Sequence, residues 1–178
     1  MEVGTKLPDR LRPGLRLVVC GTAAGTRSAA RGAYYAGPGN QFWAILAATG
    51  LTPRRFEPEE FPLLLDHGIG LTDLVKHESG PDGALSRSGW DVPGLKAKLR
   101  SCQPRVVCFN GKRAAKEFFR IDQVEYGTHA GCEDLPGIVL FVAPSTSGAA
   151  RGSWDARVWH DLASLVAGDT LARADAGA

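Results

Sequence analysis

The chain has no C-x-x-C pair among its four cysteines, Cys20, Cys102, Cys108 and Cys132. That argues against a zinc or iron–sulfur centre built on cysteine. His67, His77, His129 and His160 fall at no metal-ligand spacing. G-x-x-x-x-G-K-[ST], G-x-G-x-x-G and G-x-S-x-G are all absent, which removes the P-loop, the dinucleotide fingerprint and the hydrolase elbow. No apolar run approaches the roughly 20 residues that span a bilayer, so no membrane association is expected. The first residues, MEVGTKLPDRLRPG, carry no apolar core of a secretory signal. Excess charge is lacking too: 21 Lys and Arg against 19 Asp and Glu give +2. Any basic surface must therefore come from placement. Glycine and proline are plentiful, 22 and 11 of 178 residues, but without a period, which excludes collagen-like and low-complexity readings.

What is present is the pattern of one soluble domain spanning residues 1–178, with fraying expected over 1–13 and in the small polar tail 168–178. Reduced thiols, a cytoplasmic location and a monomer are the matching expectations. Four β-rich runs recur: Leu15–Cys20, Gly68–Leu74, Arg105–Phe109 and Ile138–Ala143. Three are nearly all apolar, as in parallel strands covered on both faces. Helix-like stretches separate them: 41–48 behind Asn40, 58–67 ending at Gly68, 92–99, 112–119, and 154–167 behind a Ser153 cap. The last carries Val158, Trp159, Leu162, Leu165 and Val166 on one stripe. Alternating strand and helix predict an α/β fold, a three-layer α/β/α sandwich with a mainly parallel sheet of about four strands. The segment 76–88 reads as a turn-rich surface loop.

Ligands of open α/β sheets bind beyond the carboxyl ends of the strands. Two loops of small residues emerge there, Gly21-Thr22-Ala23-Ala24-Gly25 after the first strand and Pro144-Ser145-Thr146-Ser147-Gly148-Ala149-Ala150-Arg151 after the fourth. Small side chains let backbone amides approach a ligand closely. The alternative for either loop is an ordinary strand–helix turn.

The first loop continues through Tyr35 into Gly37-Pro38-Gly39-Asn40-Gln41-Phe42-Trp43. Further along come Leu64-Leu65-Asp66-His67-Gly68-Ile69-Gly70-Leu71-Thr72-Asp73-Leu74-Val75, then Phe109-Asn110-Gly111-Lys112, then the P-S-T-S-G-A-A-R loop. In this order and spacing the motifs resemble the mismatch-specific uracil/thymine-DNA glycosylases of the uracil-DNA glycosylase superfamily, over about residues 15–165. The resemblance implies a monofunctional enzyme of base excision repair. It would hydrolyse the N-glycosidic bond of uracil, and of related damaged or mismatched bases, in single-stranded or mismatched DNA, without metal or cofactor.

It also implies roles. Gly21, Thr22, Ala24 and Gly25 would supply base-facing backbone, and Tyr35 would stack on a flipped base, with Asn40 beside it. Arg27, Arg31, Ser145, Ser147, Gly148, Ala149 and Arg151 would contact DNA. Ala23 stands where the family holds a water-positioning asparagine, and an alanine side chain has no donor or acceptor. Asp73 is the candidate to supply the missing polar group, with a local backbone cap as the alternative. The alternatives are a half-buried core tyrosine for Tyr35 and a solvated side chain for each arginine. Gly25 stands where uracil-selective relatives carry a bulky tyrosine, so a tolerant pocket is expected. His129 is a weaker candidate for the site, and Phe42 and Trp43 read as core. The vacancy at Ala23 keeps open a lesion-binding protein that flips bases without cleaving them, and fold-level likeness alone keeps open a nucleoside-type hydrolase.

Overall fold

The computed structural model describes residues 4–175. β1 (Leu17–Ala24) is followed by α1 (Thr26–Arg31) and α2 (Phe42–Ala48), then by a 3₁₀ segment, Pro58–His67. Next come β2 (Ile69–Ser79), α3 (Val92–Cys102), β3 (Val106–Asn110) and α4 (Lys112–Phe119). The chain closes with β4 (Gly127–His129), β5 (Val139–Ala143) and α5 (Ala156–Asp175).

The sheet has the order β2-β1-β3-β5-β4. Four strands are parallel, as the apolar runs predict. The fifth, β4, is a three-residue edge strand antiparallel to β5. Its sequence, Gly-Thr-His, has no apolar alternation to betray it. The central strands are buried on both faces. Leu17, Val19, Val106 and Cys108 point into one core with Phe42, Trp43, Leu46, Trp159 and Leu162. Val18, Cys20, Val107 and Phe109 point into the other with Leu95, Leu99, Ala114 and Phe118. The period of two along each strand thus feeds both layers of the sandwich.

Four local expectations are corrected. The N-terminal residues do not fray from residue 4 onward: Leu7 is buried, Arg10 exchanges backbone hydrogen bonds with Leu71, and Lys6 N–H donates to Lys76 O. These residues lie along the outer edge of β2, and pairing there satisfies amides an edge strand would otherwise expose. Helix α5 runs through the supposed tail to Asp175, since its Leu, Ala and Arg are strong helix formers; residues 176–178 lie outside the described residues. Ser153 does not cap α5 but closes the short 3₁₀ turn Gly148–Ser153; Asp155 Oδ1 instead accepts from Arg157 N–H at 3.0 Å. The segment 58–67 is 3₁₀, with Pro62 inside it, where the missing N–H disfavours a regular α-helix.

Candidate active site

Strand β1 overhangs its neighbour. Its ladder with β3 ends at Cys20↔Phe109, but its ladder with β2 continues through Ala24. Backbone groups of Gly21–Ala24 that point toward β3 therefore have no strand partner there. They border a cavity of about 570 Å³ lined by β1's end, the loop after β5 and the turn after β2. Open backbone N–H groups at such a position suit an anion or a carbonyl oxygen.

Asp73 forms part of the cavity wall. It lies on β2 in register with Gly21 and is 5% exposed. Gly21 makes room for it: a Cβ at Gly21 would lie 2.6 Å from Asp73 Oδ1 and 3.4 Å from the Tyr35 hydroxyl. Lys76 Nζ stands 4.0 Å from Asp73 Oδ2. Lys76 is itself held by Asp9 at 2.9 Å and by the Tyr34 hydroxyl at 3.1 Å, and Asp9 also receives Lys98 at 2.6 Å and Thr72 at 2.8 Å. Burial pushes the Asp73 carboxyl up to about 6, against the opposing charge of Lys76. Burial also raises Asp9, but Lys76, Lys98 and Thr72 outweigh it and hold Asp9 below its ordinary range.

Tyr35 borders the same cavity with a positive φ of 53°, a conformation that costs a non-glycine residue on the order of 1 kcal/mol. Its ring packs on Phe42, centroids 4.0 Å apart and 31° from parallel. Its hydroxyl is buried without a well-formed hydrogen bond, and the Asn110 side chain is close enough to bond it weakly. Burial and the Asp73 charge push this phenol well above its usual range, so it is a donor.

The loop after β5 is pinned in place. Asn110 Nδ2 donates to Thr146 Oγ1 and Thr146 N–H donates back to Asn110 Oδ1, both at 3.0 Å. Gln41 N–H donates to Thr146 O at 2.8 Å, tying this loop to the Gly37–Gln41 segment. Ser145 and Ser147 spend their hydroxyl oxygens on Ser147 N–H and Ala149 N–H. Asn40 borders the cavity, but its Oδ1 accepts from Phe42 N–H at 3.0 Å, a helix-start role.

The structure brings most sequence candidates together: Gly21, Thr22, Ala23, Ala24, Gly25, Arg27, Tyr35, Asn40, Asp73, Ser145, Ser147, Gly148 and Ala149 all border the one cavity. Arg31 is not among them. It stands in the last turn of α1 and bonds Glu59 and Ala36 O instead. Arg151 lies outside the cavity wall, its guanidinium over Gly39. His129 is likewise absent from it: the ring stacks on Phe119 and bonds Glu125 O. Phe42 and Trp43 are core, as expected.

Sequence reasoning missed the turn Gly80-Pro81-Asp82 at the cavity's edge. The run 76–88 is not all loop, since β2 extends to Ser79 past a bulge and Gly80 N–H donates to Ala24 O at 2.9 Å. The P-D-G sequence signalled a turn but not where β2 would carry it. Lys112 and Arg113 complete a cationic border with Arg27.

The model of the uracil DNA glycosylase superfamily matches residues 8–163, most of the chain. The chain belongs to that superfamily. A solution structure from Methanosarcina acetivorans, of a protein provisionally assigned as a uracil DNA glycosylase, shares the fold. It superposes at a TM-score of 0.59 with 23% identity, covering 90% of this chain and 96% of the other. The span matched to the superfamily takes in the N-terminal segment from residue 8, the overhanging β1 and the loop after β5. Among the described residues, no group of three or more His, Cys, Asp and Glu is placed to hold a metal ion, and no helix is long and apolar enough to cross a membrane. Cys20, Cys102 and Cys108 are buried free thiols and Cys132 is half-buried.

Proposed function

We propose that this protein is a monofunctional DNA glycosylase of base excision repair, of the mismatch-specific uracil/thymine type. It hydrolyses the N-glycosidic bond of uracil, and of other damaged or mismatched bases, in DNA. The observation that carries the reading is a buried carboxylate, Asp73, and the Tyr35 hydroxyl, both brought close to the bare backbone of Gly21 in a cavity open beyond the strand ends. A polar floor of this kind fits the hydrogen-bonding edge of a flipped base.

In this reading the flipped base enters beneath Tyr35 and over Gly21–Gly25. Asp73 meets the N3–H edge, and the ring of Tyr35 stacks on the base, a contact worth roughly 1–3 kcal/mol. As the C1′–N bond lengthens, negative charge grows on the base. Backbone N–H groups at the end of β1 stabilise it, and such electrostatic stabilisation is usually the largest contribution to catalysis. Arg27, Lys112 and Arg113 hold phosphates, and the loop at 145–150 faces the duplex. The protein acts as a monomer and requires no cofactor.

The test is incubation with uracil-containing single- and double-stranded oligonucleotides followed by alkali. Strand breaks at uracil are the expected result. The vacancy at Ala23 favours one rival, a protein that flips and holds a lesion; tight binding with an intact strand would establish it. Release of uracil from free deoxyuridine at a rate matching that from DNA would mark a nucleoside hydrolase instead.

A further inference from the structure

We propose that Asp82 is the carboxylate that activates the attacking water, held to the task by Thr22. The proposal rests on the glycosylase reading above and fills the role that Ala23 leaves empty.

The cavity wall contains only two carboxylates among the described residues, Asp73 and Asp82, and no histidine. They lie in different settings. Asp73 is buried between Lys76 and the Tyr35 hydroxyl, against β1's backbone. That is the place for a group reading the far, polar edge of a base. The anomeric carbon lies at the opposite end of a flipped nucleotide, so a carboxylate engaged with the base edge does not also reach the water there. Asp82 is exposed at the cavity's edge, on the turn that follows β2.

Two bonds fix that turn to the end of β1. Thr22 Oγ1 donates to Asp82 Oδ1 at 2.7 Å, and Gly80 N–H donates to Ala24 O at 2.9 Å. Thr22 and Ala24 are the two neighbours of Ala23. A carboxylate thus arrives from the adjacent strand's turn at the strand end where the Ala23 side chain offers none. The Thr22 hydroxyl occupies Oδ1 and orients the carboxylate, which leaves Oδ2 to accept from a water.

The step balances without a further reactant. The C1′–N bond breaks with its electron pair passing to the base. Water oxygen bonds C1′, Asp82 takes the water proton and later returns it to solvent, and the base anion is protonated from solvent.

Asp82→Asn is the deciding variant, because its amide oxygen still accepts from Thr22 and keeps the turn anchored while its basicity is gone. On a single-stranded uracil oligonucleotide, single-turnover cleavage should fall about 10²-fold or more, the scale of a positioned general base. Affinity for the same strand carrying uncleavable 2′-fluoro-deoxyuridine should stay within about twofold, since Asp82 touches water and not the base. Added formate should restore part of the rate lost in Asp82→Ala. Cleavage by Asp82→Asn at the wild-type rate overturns the assignment and leaves the glycosylase reading standing. Equal losses of rate and affinity overturn it too, because they mark a structural anchor. A wild-type protein that leaves every uracil strand intact overturns both.

Discussion

The Asp73 carboxylate lies directly against the backbone of Gly21, so closely that a single added methyl group would come within 2.6 Å of Oδ1. Gly21 shows no positive φ, so its value is the absence of a side chain and not backbone freedom. Gly21→Ala should therefore fold, yet push Asp73 off the position it holds against β1. A displacement of about 1 Å in a positioning group can cost on the order of 10²-fold in rate. Uracil excision should drop by that order while the melting temperature moves by only a few degrees. Wild-type activity in Gly21→Ala would show that the placement of Asp73 is not needed.

Asp73 itself separates reading from acid–base work. Asp73→Asn retains an acceptor for N3–H and should keep cleavage within about tenfold of wild type, whereas Asp73→Ala should lose about 10²-fold or more. Stability should move the other way. The folded carboxyl titrates at about 6 against an ordinary 3.8, so its burial favours the folded state below pH 4 and that contribution disappears as pH rises through 6. About two pKa units correspond to at most about 3 kcal/mol. Asp73→Asn carries no such loss. Thermal melts of the two proteins should converge near pH 4 and separate toward pH 7, with the variant the more stable.

Much of this is legible in the sequence, for physical reasons. The apolar runs at 15–20, 105–109 and 138–143 announce buried parallel strands because both faces must be covered. The strand-end rule then places Thr22, Asp73 and Ser145 around one opening. Three features are not legible. β4 is too short and too polar to show a period. The N-terminal residues look polar, but Leu7 and Asp9 gain their roles only from β2, more than sixty positions away. Asp82 sits in a sequence that signals only a turn; its meeting with Thr22 depends on the bulge that carries β2 from Val75 to Ser79 in register with β1.

The long-range network behind Asp73 gives variants of opposite sign. Lys76 lowers the Asp73 pKa and Asp9 raises it. Lys76→Met should move the Asp73 midpoint above its wild-type position, and Asp9→Asn should move it below. Carbon-13 NMR titration of labelled aspartate carboxyls reads both without any need for turnover. Asp9 in Lys76→Met keeps Lys98 and Thr72 as partners, so loss of fold is not the expected cause of the shift. Midpoints that move in the same direction in both variants would point to general loosening of the N-terminal segment.

Gly25 gives a prediction about breadth. A Cβ there meets nothing within 4 Å, and Gly25 borders the cavity. The pocket should accept 5-substituted uracils and thymine opposite guanine at measurable rates, since one methyl group separates substrates by only about 1–3 kcal/mol. Gly25→Tyr has room to fill that space and should confine excision to uracil or abolish it. Competition between uracil and thymine oligonucleotides in one reaction measures the ratio directly; a wild-type protein with no trace of activity on any larger base contradicts the open pocket.

The loop after β5 bears on strand preference. A protein that unstacks a base step commonly inserts a bulky apolar residue, offsetting a cost of a few kcal/mol. Here Gly148, Ala149 and Ala150 supply little bulk, and the structure separates the first two. A Cβ at Gly148 would meet Pro38 O at 2.6 Å, so that position is committed to packing against the Gly37–Gln41 segment. Ala149 is exposed and borders the cavity, so it can carry a larger side chain outward. The wild-type protein should therefore cleave single-stranded or mismatched uracil at least as readily as uracil paired with adenine. Ala149→Leu should raise cleavage of the A·U duplex by several-fold to about tenfold, with little change on a single strand, because only the duplex has a stack to open. Gly148→Leu should instead slow both by displacing the loop. Arg151 ends this loop with its guanidinium over Gly39; if it also grips phosphate, Arg151→Ala weakens binding uniformly across sequences and lowers the salt slope by about one. Rates for the two loop variants on paired and single strands, measured beside those salt titrations, distinguish the wedge from the phosphate grip. A gain from Ala149→Leu on the single strand equal to that on the duplex would mean that extrusion does not limit the reaction.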